Sequence, residues 1–127
     1  MSKNIGLIDD SRVMRSILRK SIQMCHYKVE LFMEAENGLE GYKMLAENQE
    51  NLDIAFLDLH MPEMGGLEML KKLREGGFSA VPIIVVSTSA DSKTQQECAE
   101  LGAVGFIHKP FTPQELGAQM SKVVGDA

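Results

Sequence analysis

Several ingredients are scarce in this sequence, and each shortage excludes something. Cysteine occurs only twice, as Cys25 and Cys98, with no metal-type spacing, so the expectation is two buried thiols in a reducing cytosol rather than a disulfide or thiolate scaffold. Basic charge is in deficit: 13 Lys and Arg stand against 18 Asp and Glu, a net charge of −5. The basic residues cluster only at Arg12, Arg15, Arg19 and Lys20. Phosphate-backbone binding needs a concentrated basic face, so no nucleic-acid partner is expected. Long apolar runs are missing as well. Ile54–Leu57 and Ile83–Val86 are far shorter than the roughly 20 residues that span a bilayer, and Asp9 and Asp10 interrupt the N-terminal segment before a signal-peptide core can form. No membrane partner and a cytoplasmic location are the expectations. There is no tryptophan, which removes the usual fluorescence reporter, and there is no internal repeat, low-complexity stretch or linker.

What remains is an ordinary globular composition, 44% hydrophobic and 24% charged over 127 residues, read as a single domain over residues 1–127. A chain of this size buries roughly two thirds of its unfolded surface, enough for a real core. Two patterns alternate along it. Short β-rich apolar runs occur at Ile5–Ile8, Val29–Ala35, Ile54–Leu57, Ile83–Val86 and Val104–Ile107. Between them lie segments of helical periodicity. Met14, Ile17, Leu18, Ile22 and Cys25 recur at three- and four-residue steps, as one buried helix face requires. Tyr42, Leu45 and Ala46 follow an Asn37 cap, with Glu40 at the third helical position. Leu67, Leu70 and Leu73 precede a Gly76-Gly77 stop. Asp91 or Ser92 caps a fourth helix whose face is polar. Thr112, Pro113 and Glu115 open the fifth, with Leu116, Met120, Val123 and Val124 as its apolar stripe. The nine methionines are scattered and read as core filling. Five strands alternating with five helices predict an α/β fold, a doubly wound (βα)5 parallel sheet covered on both faces. The unbroken apolar runs of the third and fourth strands suit central positions in it.

Ligands in such open sheets bind beyond the carboxyl ends of the strands. Asp9 and Asp10 follow the first strand, Asp58 the third, Ser87 the fourth, and Lys109 the fifth. Singly, an Asp there is usually a helix cap and a Lys is usually solvated; their joint placement on one rim is what carries weight. Three carboxylates in one pocket raise one another's proton affinity until a cation arrives. An all-oxygen donor set suits Mg2+ rather than zinc or copper. Lys109 and the Ser87 hydroxyl can meet phosphoryl oxygens, leaving Asp58 as the candidate nucleophile towards phosphorus.

The segments Leu7-Ile8-Asp9-Asp10-Ser11, Leu57-Asp58-Leu59-His60-Met61-Pro62-Glu63-Met64-Gly65-Gly66, Val85-Val86-Ser87 and His108-Lys109-Pro110-Phe111 closely resemble the receiver domain of two-component response regulators, in the family's order and spacing, from about Lys3 to Val124. The length resembles the single-domain, chemotaxis-type members. The resemblance implies a flavodoxin-like sheet of strand order 2-1-3-4-5. It implies that Asp58 accepts a phosphoryl group from a sensor histidine kinase or a small acyl phosphate. It makes Asp10 a direct Mg2+ ligand, Asp9 a neighbouring acid acting through water, and the His60 backbone carbonyl a further ligand beside Asp58. Ser87 becomes the switch hydroxyl, Lys109 the phosphate-binding lysine, and Phe106 the aromatic that changes rotamer. His60 and Ser89, each two residues beyond a site residue, occupy positions that tune dephosphorylation. The peptide before Pro110 is implied to be cis.

Three positions depart from the best-known pattern. Ser87 replaces the commoner threonine and loses a methyl that stiffens the rotamer. Phe106 cannot donate the hydrogen bond a tyrosine would. His60 places an imidazole beside the acceptor. The reading is a monomeric signalling switch, not a turnover enzyme, that alters partner binding through the face formed by the fourth helix, fifth strand and fifth helix, in chemotaxis. Lys93 and Lys122 are candidates to meet an acidic partner there. That partner is a flagellar motor switch component or a phosphotransferase, with a phosphatase as a further possible partner. The alternatives are a phosphorelay intermediate or phosphate sink, a phosphorylation-independent scaffold, and a haloacid-dehalogenase-like phosphatase. The phosphatase wants its nucleophile after the first strand and a general acid two residues on, where this chain has Asp58 after the third strand and His60. A flavodoxin is disfavoured because Asp9-Asp10-Ser11-Arg12 would repel a flavin phosphate.

Overall fold

The computed structural model describes residues 2–127. Its elements alternate along the chain: β1 (Lys3–Ile8), α1 (Arg12–Met24), β2 (Val29–Ala35), α2 (Gly38–Glu47), β3 (Ile54–Leu57), α3 (Gly66–Gly76), β4 (Ile83–Ser87), α4 (Ser92–Glu100), β5 (Gly105–His108) and α5 (Pro113–Val124). The strands form one sheet in the order β2-β1-β3-β4-β5, with every neighbouring pair parallel. This is the flavodoxin-like order that the resemblance implied.

The two-residue period of the strands divides the interior into two cores. Ile5, Leu7, Ile54, Phe56, Ile84 and Val86 point to one face, where Leu18 and Ile22 of α1 and Leu116 and Met120 of α5 cover them. Ile8, Ala55, Leu57, Ile83 and Val85 point to the other, against Met44 and Leu45 of α2, Met69, Leu70 and Leu73 of α3, and Cys98 of α4. β3 and β4 are buried along their whole length, which explains why their sequences run apolar without alternation.

Local signals set the helix ends. Ser11, Asn37, Asp91 and Thr112 each accept a hydrogen bond from a first-turn backbone N–H of α1, α2, α4 and α5, so Asp91 rather than Ser92 is the fourth cap. α3 starts on Gly65 without a side-chain cap. It stops as expected: Gly77 takes φ 77°, its N–H reaches Arg74 O and that of Phe78 reaches Leu73 O at 2.8 Å, the paired bonds of a Schellman motif.

Two sequence expectations change. Ile17 is not core: with Val13 and Met24 it forms an exposed apolar stripe on the outer face of α1, while Arg15 is buried in its place. The heptad-like spacing cannot distinguish these, because α1 is apolar on more of its circumference than the sheet can cover. Cys98 is buried but Cys25 is only half-buried, its thiol lying 3.1 Å from the Pro113 carbonyl oxygen. No helix among the described residues is long and apolar enough to cross a membrane.

Candidate functional site

Strand register puts the predicted residues side by side. Ile8 pairs with Leu57 across β1 and β3, so Asp9 and Asp58 emerge together, and the Asp58 N–H donates to Ile8 O at 2.8 Å. Ser87 pairs with His108 across β4 and β5, and the Lys109 N–H donates to Ser87 O at 2.9 Å. Four strands therefore end in step on one rim.

Asp9 and Asp58 are buried, Asp10 is exposed, and Ser87 is fully buried. One carboxylate oxygen from each of Asp9, Asp10 and Asp58 lies within 4.8 Å of the others. Lys109 is the counter-charge: its Nζ stands 3.1 Å from Asp9 Oδ2 and 3.3 Å from Asp58 Oδ1. Asp9 Oδ1 accepts from the Ser11 N–H at 2.9 Å. Burial pushes the Asp58 carboxyl above its ordinary value, the Asp9 charge adds to this, and the Lys109 ammonium and the His60 backbone amide oppose it. A partly open trio of hard oxygens with one ammonium against it is an excess of negative charge, and it fits a small divalent cation such as Mg2+. The Lys109–Pro110 peptide is cis, as the resemblance implied.

The site has two walls of different construction. On one side the β3–α3 loop is closed by backbone contact. A Cβ on Gly66 would lie 2.6 Å from Asp58 O and 2.9 Å from Leu59 Cα, and one on Gly38 would lie 2.2 Å from Met64 O. Only glycine permits α2 and α3 to approach the loop this closely. Glu63, within it, takes φ 67°. On the other side the β4–α4 loop is held by side chains. The Ser89 N–H donates to Ser87 Oγ at 3.0 Å, and Ser89 Oγ lies 2.9 Å from His60 Nε2. His60 and Ser89 thus join across the mouth of the pocket.

Phe106 is half-buried on β5 and lines a groove of about 200 Å3 with Gln95, Cys98, Ala99, Ala103, Val104 and Gly105. Lys93 and Lys122 are exposed.

Sequence reasoning missed three supports. Arg15 donates through Nη1 to the Asp9 carbonyl and through Nε to Glu34 Oε1 at 2.8 Å, tying α1 and β2 to the rim. Gly38 and Gly66 were visible only as glycines at the first position of a helix, poor helix formers whose presence is explained by close packing.

The comparisons with known proteins agree with this geometry. A family model described as the response regulator receiver domain matches residues 5–121. The Chemotaxis protein CheY homolog of Campylobacter jejuni is 36% identical over 121 residues, covering 94% of this chain and 90% of that protein. Chemotaxis protein CheY1 of Helicobacter pylori is 34% identical over 120 residues and covers 94% of each. The solved structure of chemotaxis protein CheY4 of Vibrio cholerae superposes with a TM-score of 0.80 at 27% identity, covering 97% of this chain and 99% of that one. At 23% identity the CheX-CheY-BeF3-Mg+2 complex of Borrelia burgdorferi shares the fold, with a TM-score of 0.84 over 95% of this chain and 88% of that one. With its strand order, its acidic rim and these likenesses, the chain belongs to the response regulator receiver domain family of two-component systems.

Proposed function

We propose that this receiver is a phosphorylation-driven switch with Asp58 as its acceptor. The observation that carries the reading is Lys109 Nζ poised between Asp9 and Asp58, at 3.1 and 3.3 Å, beside an acidic trio on the same rim. A carboxylate oxygen of Asp58 attacks phosphorus in a histidine kinase's phosphohistidine. The P–O bond forms as the P–N bond breaks, and the imidazole departs with the electron pair. Asp9, Asp10, Asp58 and the His60 carbonyl would hold Mg2+, which would supply positive charge against the phosphoryl oxygens. Lys109 then turns from carboxylate to phosphoryl oxygen, and Ser87 donates its hydroxyl to another. His60 and Ser89, joined across the mouth, tune how fast water removes the phosphoryl group.

When Ser87 turns inward it disturbs the hydrogen bond it accepts from the Ser89 N–H, and the loop shifts with it. That movement carries to α4, which buries only Cys98 and so moves at small cost, and to Phe106 in the groove beside it. The α4–β5–α5 face is the output surface. It suits a protein partner in chemotaxis, such as a motor switch component, or a phosphotransferase if the protein serves a relay or sink. The exposed Val13 and Ile17, beginning beside Asp10, offer an apolar patch for a protein phosphodonor. On this reading the protein works as a cytoplasmic monomer.

Incubation with Mg2+ and acetyl phosphate, followed by a phosphate-affinity gel, tests the proposal. A retarded band that disappears in Asp58→Asn and with a chelator is expected. A band that persists in Asp58→Asn would put the acceptor elsewhere, and no band at all would leave the scaffold reading.

A further inference from the structure

A second charged feature lies between α1 and the edge strand β2, apart from the acidic pocket. Arg12, Arg15, Ser16, Arg19 and Glu34 line an open groove of about 410 Å3. Its formal charge is two positive, in a protein whose net charge is −5. All the charged residues of α1 are basic: Arg12, Arg15, Arg19 and Lys20. Arg12 occupies the first helical position, where the positive end of the helix dipole disfavours a cation. It forms no ion pair and no side-chain hydrogen bond among the described residues, so its guanidinium donors are unspent, although Asp9 and Asp10 precede it in the chain.

The other two guanidiniums are already fixed. Glu34 spends one oxygen on Arg15 Nε and the other on Arg19 Nη2. Arg19 also lies over the Phe32 ring, 4.9 Å from its centroid, a cation–π contact. Arg15, nine-tenths buried, is held again by the Asp9 carbonyl. Its second terminal nitrogen has no hydrogen-bond partner among the described residues, yet it is not among the buried unpaired atoms, so it reaches solvent. The groove therefore presents rigid, unspent N–H donors, a free cation at Arg12 and the Ser16 hydroxyl. A fixed donor array loses little conformational freedom when it binds.

We propose that this groove binds a phosphate dianion, carried by a small phosphorylated molecule or free in solution, at a site separate from Asp58. Planar guanidiniums in a fixed fork match the oxygens of a tetrahedral dianion and use several donors at once. The groove is too polar for an apolar ligand, and its one acid is already neutralised by two arginines. This inference stands whether or not Asp58 accepts a phosphoryl group.

Metal-free protein titrated with inorganic phosphate and with phenyl phosphate, at ionic strength held constant with sodium chloride and followed by amide NMR, tests it. Saturable shifts at Arg12, Ser16 and Arg19 are expected. Tighter binding of phenyl phosphate would assign the site to organic monoesters, and equal binding would mean that the groove reads the dianion alone. Arg12→Gln should weaken affinity about ten-fold, as loss of a charge-assisted bond implies. Lys20→Gln removes the same charge from a residue outside the groove and should change affinity less than two-fold. Shifts that never saturate, equal losses in both variants, or equal binding of succinate would each overturn the proposal.

Discussion

The two walls of the site are built from different interactions. The β3–α3 wall is closed by backbone packed on backbone at Gly38 and Gly66. The β4–α4 wall is held by two hydrogen bonds through Ser89 and leads into a helix with one buried residue. Packed backbone cannot yield by small amounts, because interiors are close to crystalline density. Hydrogen bonds at a half-exposed loop exchange for others at about 1 kcal/mol. On the proposed function the contrast assigns the roles: the β3–α3 wall fixes Asp58, and the β4–α4 wall responds to what Asp58 carries.

Substitutions can break this contrast, and the largest effect belongs to the fixed wall. Gly66→Ala forces a methyl against the Asp58 carbonyl and should cost about 3 kcal/mol in urea unfolding; a loss below about 1 kcal/mol would mean that this wall gives way too. Next comes the metal site proposed between the walls. Mg2+ at a hundred times its dissociation constant should stabilise the fold by about 2.7 kcal/mol, seen as a raised Tm. Asp10→Asn should abolish most of this, and an undiminished response would move the metal elsewhere.

A smaller effect follows from Asp58 itself. Burial and the neighbouring Asp9 hold its carboxyl above the ordinary value, so the folded chain takes up its proton more readily than the unfolded one. Its ionisation therefore lowers stability as pH rises from about 4, the unfolded value, through the raised folded value. Without Mg2+, Asp58→Asn should be more stable than the parent by about 1 kcal/mol at pH 7, and the advantage should vanish below the unfolded value. An advantage that persists at low pH would contradict the charge argument. Smallest is the movable wall: Ser89→Ala should cost less than about 1 kcal/mol in stability. It should nonetheless shorten the life of phospho-Asp58 a few-fold, the change in rate that a barrier difference of that size gives. An unchanged lifetime would remove Ser89 from the dephosphorylation step.

Much of this was legible in the sequence because it is written locally. Thr112-Pro113 announces α5, Gly76-Gly77 ends α3, and the β3 and β4 runs declare central strands. The rim residues were legible because the carboxyl ends of parallel strands converge, whatever lies between them. What stayed hidden depends on distant parts of the chain. Ile17, expected on the buried face, is exposed and Arg15 is buried, where Glu34 of β2 pairs with it. Gly38 and Gly66 are ordinary letters until two helices approach one loop. The resemblance pairs His60 with Ser89 by position, but the direct contact between them, 29 positions apart, is visible only once the two loops meet.

Hydrogen exchange on the protein with Mg2+, before and after addition of acetyl phosphate, tests the division between the walls most directly. Altered protection is expected at Ser87–Ala90, in α4 and at Phe106, with Gly38, Met64 and Gly66 unchanged. Equal changes on both sides of Asp58, or changes confined to the β3–α3 loop, would contradict it.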